Sequence, residues 1–320
     1  MADPGDEERH PPGPDQLWSE WWYFDFAFAS GAEVAADWLG GYVRLGLYPN
    51  LGVAWYWAYL VGSGRSLVAV RDHDVALPKG PSLEVRAEGL WSALTCETPY
   101  EHWSIGLEAF AVALDDPVDA YRDERGDRVA LGFDLEWYSE GPVVSQARPA
   151  RQPAAPPLGP GPAASGYEQT CRVQGEVLLG DERLWVEGSG QRHHAWGIGD
   201  WWGVPWCWTA GRLDDGTAFQ GTRVGPAATS WLETGYLLAP GGSPAVVSSV
   251  TLDTLLGGAG LPVSGSLGLG ELTLAVTPLA YAPVLLSAPD GRSSRLPRAL
   301  CRFDAPDGRR GLGWTEWLQP

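Results

Sequence analysis

Much of what would place this sequence quickly is missing from it. Charge is scarce and one-sided: 19% of the 320 residues are charged, 40 acidic against 22 basic, for a formal net charge of -18. A surface of that sign repels phosphate, which argues against nucleic acid and anionic membranes as partners. The four cysteines, Cys96, Cys171, Cys207 and Cys301, form no CxxC pair and are too sparse for a disulfide scaffold, so they read as reduced, mostly buried thiols. No apolar run reaches the ~18 residues of a membrane span. The opening MADPGDEERHPPGPDQ has acids and prolines where a signal peptide needs a basic and then an apolar region. A cytoplasmic protein without stable membrane insertion is expected, with residues 1–15 as a disordered lead-in.

Familiar chemical signatures are absent too. GxSxG does not occur in an elbow context and no Cys/His pair is recognisable. LGLGELT at 267–273 lacks the third glycine and the flanking strand–helix–strand pattern of a dinucleotide loop. No cofactor is implied. No segment sustains a 3.6-residue period, so helix is expected only in short pieces, at 115–124 or 250–257.

The sequence is rich in glycine, proline and tryptophan, with 42, 27 and 18 residues. The first two fit a β protein with many turns; so much indole points to large apolar surfaces that also need a polar handle. Residues 18–28 alternate Trp22, Phe24, Phe26 and Phe28 against Trp21, Tyr23 and Asp25, a strand with one fully apolar side. Residues 41–48 follow the same pattern, 53–61 are apolar on both faces and need cover on both, and 129–137 place Val129, Leu131, Phe133, Leu135 and Trp137 inward. Asp72, His73 and Asp74 read as a solvated turn. The proline-rich stretch 141–165 cannot form a ladder and reads as a linker or crossing loop. About eighteen to twenty short strands, divided there, predict an all-β protein of two antiparallel barrels or sandwiches, at 16–140 and 166–320. A barrel of about eight strands can hold one small ligand.

The densest stretch is 188–203, GSGQRHHAWGIGDWWG, which packs two histidines, a carboxylate, three tryptophans and five glycines. Together with EWWYF at 20–24 and GLGWTEW at 311–317, its run G-x-G-x-R-x-H-x-W-G-x-x-D-W resembles the superfamily of carotenoid 1,2-hydratase (hydroxyneurosporene synthase) and related tandem lipocalin-like proteins, some of them natural-product cyclases or Diels-Alderases. The resemblance extends from about residue 16 onward and is strongest to an actinobacterial branch with a G-x-G-x-R-D-H-S-W-G element. It implies two lipocalin-like (calycin-like) barrels and a hydrophobic ligand in or between them. Two positions depart from the branch pattern: His193 stands where an aspartate is expected and Ala195 where a small hydroxyl residue is. If that aspartate handles a proton in relatives, His193 either replaces it or is structural.

Adding a proton to carbon in a dry pocket calls for a carboxylic acid or imidazolium of shifted pKa. His193, His194, Asp200 and Glu316 are the catalytic candidates, with Glu20 in EWWYF and Asp25 directly after it. The plainer alternative makes Glu20 and Glu316 buried carboxylates bonded to backbone donors or to Arg192, and His194 an imidazole bonded to a carbonyl. Glu20, Trp21, Trp22, Tyr23, Trp55, Trp57, Trp196, Trp201, Trp202, Trp206 and Trp208 are candidate ligand contacts, the plainer alternative for each tryptophan being core packing. No metal site is expected: neighbouring strand residues point to opposite faces, and His10, His73 and His102 are far off in sequence. The expected function is binding of an isoprenoid, lipid or polyketide-like molecule. As an enzyme the protein would be a cofactor-independent hydratase, cyclase or isomerase; a non-catalytic carrier and a ligand-free scaffold are the alternatives. Oligomeric state is not indicated.

Overall fold

A chain whose apolar residues recur at every second position must bury one side of each strand, and a curled sheet does so by turning that side inward. The computed structural model shows this arrangement twice. It describes residues 3–29, 37–122, 126–145, 165–198, 201–225, 232–288 and 291–318. The first sheet contains β1 (Trp18–Ala29), β2 (Trp38–Tyr48), β3 (Val53–Gly62), β4 (Leu67–Ala76), β5 (Glu84–Ala87), β6 (Leu90–Thr98), β7 (His102–Leu114), β8 (Asp127–Ser139), β9 (Val144–Ser145), β10 (Ser165–Leu179) and β11 (Glu182–Ile198). Its order β4-β3-β2-β1-β11-β10-β8-β7 returns to β4 through Leu67↔Leu114 and Ala69↔Val112, closing a ring of eight antiparallel strands. Trp22, Phe24, Phe26, Leu131, Phe133, Leu135 and Trp137 fill its interior, on the faces that the alternation predicts.

The second sheet contains β12 (Trp206–Leu213), β13 (Ala218–Val224), β14 (Leu232–Leu238), β15 (Ala245–Val247), β16 (Val250–Leu256), β17 (Pro262–Leu269) and β18 (Leu272–Tyr281), then β21 (Arg298–Asp304) and β22 (Arg310–Leu318); β19 (Val284–Ser287) and β20 (Ser293–Leu296) form a separate hairpin. Its order is β15-β14-β13-β12-β22-β21-β18-β17-β16, curled around Phe219, Leu267, Leu274 and Phe303. A third cluster lies where the outer faces of the two barrels meet, with Trp21, Tyr42 and Trp57 from the first and Trp208, Leu312 and Trp314 from the second. Tyr42 donates to the Ala282 carbonyl at 3.1 Å and Trp314 Nε1 to that of Phe26 at 3.0 Å across this seam.

Several expectations are corrected. The sheets change over after Ile198 rather than at the proline-rich stretch, because β10 and β11 are needed to close the first ring: β11 pairs with β1 from Trp18↔Ile198 to Ala27↔Ser189. Residues 146–164 of that stretch lie outside the described residues. The stretch 188–203 does not break β11, which runs on to Ile198. Residues 250–256 are strand, and the helix expected at 115–124 is one 3-10 turn at Pro117–Tyr121, capped by Asp116 accepting from the Val118 amide. Asp72–Asp74 are part of β4, where the ladder slips opposite Ala54 and Tyr56 and His73 stacks on Trp55 at 4.6 Å. The lead-in is built into the fold, as described below.

Glycine in β11 sets how closely the strands approach. A Cβ on Gly190 would collide with the Asp25 carbonyl oxygen and with Val173. Gly190→Ala should cost about 1–3 kcal/mol, whereas Gly258→Ala, where a Cβ meets nothing within 4 Å, should change stability by less than about 0.5 kcal/mol. Urea unfolding of the two variants checks this.

Candidate functional site

The alternation of β11 divides its residues between two environments. Gln191, His193 and Ala195 face the second barrel, while Arg192, His194 and Trp196 face the mouth of the first. In register, Glu168 on β10, His193 on β11, Tyr23 on β1, Arg44 on β2 and Trp57 on β3 form one row across five strands. Opposite it the second barrel presents Thr222, Trp208, Glu316 and Arg298.

Arg298 donates to Glu316 within the second barrel and, across the seam, to the Tyr23 hydroxyl. Arg44 lies 3.4 Å from Glu316, and Trp208 Nε1 donates to Glu168 Oε1 at 2.8 Å. Tyr23 in turn donates to Asp25 Oδ2, and the Gln191 amide donates to Asp25 Oδ1 at 2.8 Å. Burial, reinforced by the negative charge of Glu316, pushes the Asp25 carboxyl well above its usual range, outweighing the Gln191 amide and the charge of Arg44. Burial also drops Arg298 to about 10, against the pull of Glu316, so it stays charged at neutral pH. His193 falls to about 3 through desolvation and the neighbouring Arg44 charge; it is neutral, and its Nε2 is shut off from solvent with no hydrogen-bond partner.

Asp25, Thr170, Ser189, Gly190, Gln191 and Gly211 line a cavity of ≈ 20 Å³ at this seam, room for about one water molecule. It shares Thr170, Arg212 and Ala218 with a surface cleft of ≈ 280 Å³ that also touches Glu140, Leu238 and Pro240. Thr170 Oγ1 is buried and unpartnered.

The other face of β11 holds the N-terminal segment. Glu7, 5% exposed, makes a two-pronged pair with Arg192 at 2.7 and 3.0 Å and accepts from Tyr167 at 2.6 Å. Burial works against the Glu7 charge, but Arg192 and the hydrogen bonds prevail and hold its carboxyl below the ordinary value. Glu20 accepts from the His10 backbone amide and sits 2.7 Å from His10 Nδ1 and 3.0 Å from His194 Nε2. Trp196 stacks on the His10 ring at 3.6 Å and Trp22 on that of His194 at 4.5 Å.

The candidates thus separate. His193, Glu316 and Tyr23 meet at the seam, while His194, Glu20, Trp22 and Trp196 belong to the barrel mouth; Asp200 lies outside the described residues. Trp21, Trp55, Trp57, Trp201, Trp202, Trp206 and Trp208 all join the seam cluster. Several of the rings assigned to a ligand instead surround the protein's own cations: Trp21, Tyr23, Trp57 and Trp201 lie within 6.0 Å of the Arg44 guanidinium, and Tyr23, Tyr42, Trp208 and Trp314 within 5.7 Å of that of Arg298.

Residues 3–320 match the family model described as a domain of unknown function, DUF7064. The chain belongs to the DUF7064 family. No curated protein matches it. Among solved structures it is similar to a candidate AttH of Nitrosomonas europaea (15% identity, 99% of this chain and 96% of that one, TM-score 0.62). It is also similar to kievitone hydratase of Nectria haematococca (10%, 95% and 90%, TM-score 0.58) and to CghA (11%, 95% and 88%, TM-score 0.55). These likenesses confirm the tandem lipocalin-like fold for this DUF7064 member.

Sequence reasoning missed Glu7, Arg44, Thr170 and Arg298. A lone arginine inside an apolar strand, as in GYVRLGLY, is a usable signal for a buried ion pair; nothing local marks Glu7. Replacing Arg192 by Met strands the buried Glu7 charge and should cost about 3–5 kcal/mol. Unfolding curves, together with faster tryptic cleavage after Arg9, check this.

Proposed function

We propose that this protein protonates an apolar, unsaturated small molecule at the seam between its barrels, as a cofactor-independent hydratase, cyclase or isomerase. The observation that carries this reading is Asp25: a buried carboxyl beside a cavity, hydrogen-bonded to Tyr23 and backed by Arg298 and Glu316, whose pKa burial pushes well above the ordinary value. The protein is then an enzyme whose acid is Asp25, with Glu316 and Arg298 as positioning residues. His193 is a neutral polar contact, and Thr170 offers its hydroxyl to a water or substrate oxygen. In a hydration, the Asp25 O–H bond breaks as its proton joins an alkene carbon, a water molecule adds to the resulting carbocation, and that water returns a proton to the Asp25 carboxylate. The reacting carbon reaches the acid from the surface cleft past Arg212 and Thr170, displacing the single water for which the cavity at Asp25 has room.

Kievitone hydratase and CghA share the fold with this chain, which supports the assignment of reaction class. The likeness of the three motifs to carotenoid 1,2-hydratase supports an isoprenoid or polyketide-like substrate, handled in the cytoplasm. A ligand-free scaffold is the second reading, favoured by the aromatic rings that close over Arg44 and Arg298.

The test compares protein purified from its own host with an Asp25→Asn variant by native mass spectrometry and denaturing extraction. An apolar molecule that accumulates unprocessed in the variant supports the enzyme; the same unaltered molecule in both indicates a carrier, and none in either favours the scaffold. The pH dependence of stability has a definite sign. Asp25 titrates higher in the folded state than its ordinary 3.8, so any stability from its neutral form is present below that pH and is lost as pH rises toward the folded value. Thermal melts from about pH 5 to about pH 8 should show Asp25→Asn more stable than wild type at the upper end, with the gap closing toward acid.

A further inference from the structure

The barrel mouth contains a second cluster that the chemistry at the seam leaves unused. His10, Glu20 and His194 each offer one donor atom, and the three lie within 4.8 Å of one another. Both imidazole nitrogens point at the same carboxylate oxygen, Glu20 Oε1. The hydrogen bonds behind them define the arrangement. The Tyr167 proton is committed to Glu7 Oε2 at 2.6 Å, so its hydroxyl oxygen can only accept from His194 Nδ1, 3.4 Å away. With its proton on Nδ1, His194 turns the Nε2 lone pair toward the Glu20 carboxylate, an approach that a metal cation between the two atoms accommodates; with its proton on Nε2 it donates to Glu20 Oε1 instead.

We infer that His10, Glu20 and His194 form a binding site for one divalent transition-metal ion of the zinc class, which fastens the N-terminal segment to the mouth of the first barrel. Two imidazoles and a carboxylate match the donor preference of zinc, and three protein ligands leave a fourth position for water. Metal–ligand bonds of about 2.0–2.2 Å put tetrahedral donors about 3.3 Å apart. The present separations of 2.7 and 3.0 Å fall a few tenths short, an adjustment open to His10, whose side chain is 19% exposed. The surroundings are those of an oriented site: Tyr167 holds His194, stacking on Trp196 and Trp22 fixes both ring planes, and Glu7 already neutralises Arg192. Nothing local marks the site, because His10 is remote from His194 until the lead-in folds back.

The experiment uses the full chain, treated with chelator and titrated calorimetrically with zinc chloride, and separately with cobalt chloride while following visible absorption. One zinc per chain with Kd of about 1 μM or tighter, and cobalt bands of a four-coordinate nitrogen/oxygen site, are expected. Glu20 and His194 are buried and their variants can misfold, so His10→Ala is the informative change: metal-free, it should melt as a single transition like wild type, yet bind zinc at least tenfold more weakly and lose the cobalt bands. His102→Ala, which removes a surface histidine paired with Glu136, should leave both unchanged. Failure of wild type to bind zinc at about 100 μM, or unchanged affinity and spectrum in His10→Ala, would overturn the proposal without touching the reading of Asp25.

Discussion

The structure depends on the period-two alternation of β11 more than on any other constraint. A strand has only two faces, and this one is paired to β1 and β10 along most of its length, so its residues have no freedom to choose a side. One set, Gln191, His193 and Ala195, is given to the junction with the second barrel, and the other, Arg192, His194 and Trp196, to the barrel mouth. The dense motif is therefore two half-motifs interleaved. One builds the polar and aromatic seam between the barrels and the other anchors the N-terminal segment.

Burying charge at the seam determines the use of tryptophan. Arg44 and Arg298 are 7% and 0% exposed, and Glu316 is 1% exposed. Removing such groups from water costs several kcal/mol per ion. Paired carboxylate, hydroxyl and aromatic faces offset that cost, and indole supplies a large face with a single donor to place: Trp208 gives its N–H to Glu168 and Trp314 to a carbonyl. In this setting Asp25 differs from Glu316. Glu316 contacts two guanidiniums, whereas Asp25 accepts one hydroxyl and one amide bond, with Arg298 3.9 Å from Oδ2. Under the proposed function, that difference in surroundings is what sets Asp25 apart as the acid.

The fold was largely legible because alternation is a local signal: Trp22, Phe24 and Phe26, or Leu131, Phe133 and Leu135, declare their inner face without help from the rest of the chain. The ring closure was not legible, since assigning β10 and β11 to the first barrel depends on pairings with β8 and β1 that no neighbouring residue announces. The candidate site was half legible. His193, Glu316 and Tyr23 came from motifs and do converge. Arg44 and Arg298 were hidden inside apolar strands and Glu7 inside an acidic, proline-rich lead-in; that His193 and His194 take opposite sides of the sheet followed from the strand period, but which of them faces the seam did not. The sequence also suggested a ligand for the tryptophans, when charges elsewhere in the same chain occupy many of their faces.

The central claim is that Asp25 is a neutral acid at neutral pH. Infrared difference spectroscopy of wild type against Asp25→Asn reads this directly through the carbonyl stretch of a protonated carboxyl group. The account predicts such a band in wild type at about pH 7, shifted in deuterated water and absent from the variant. A spectrum with only carboxylate bands at that pH, or a protonated-carboxyl band unchanged in Asp25→Asn, would contradict it.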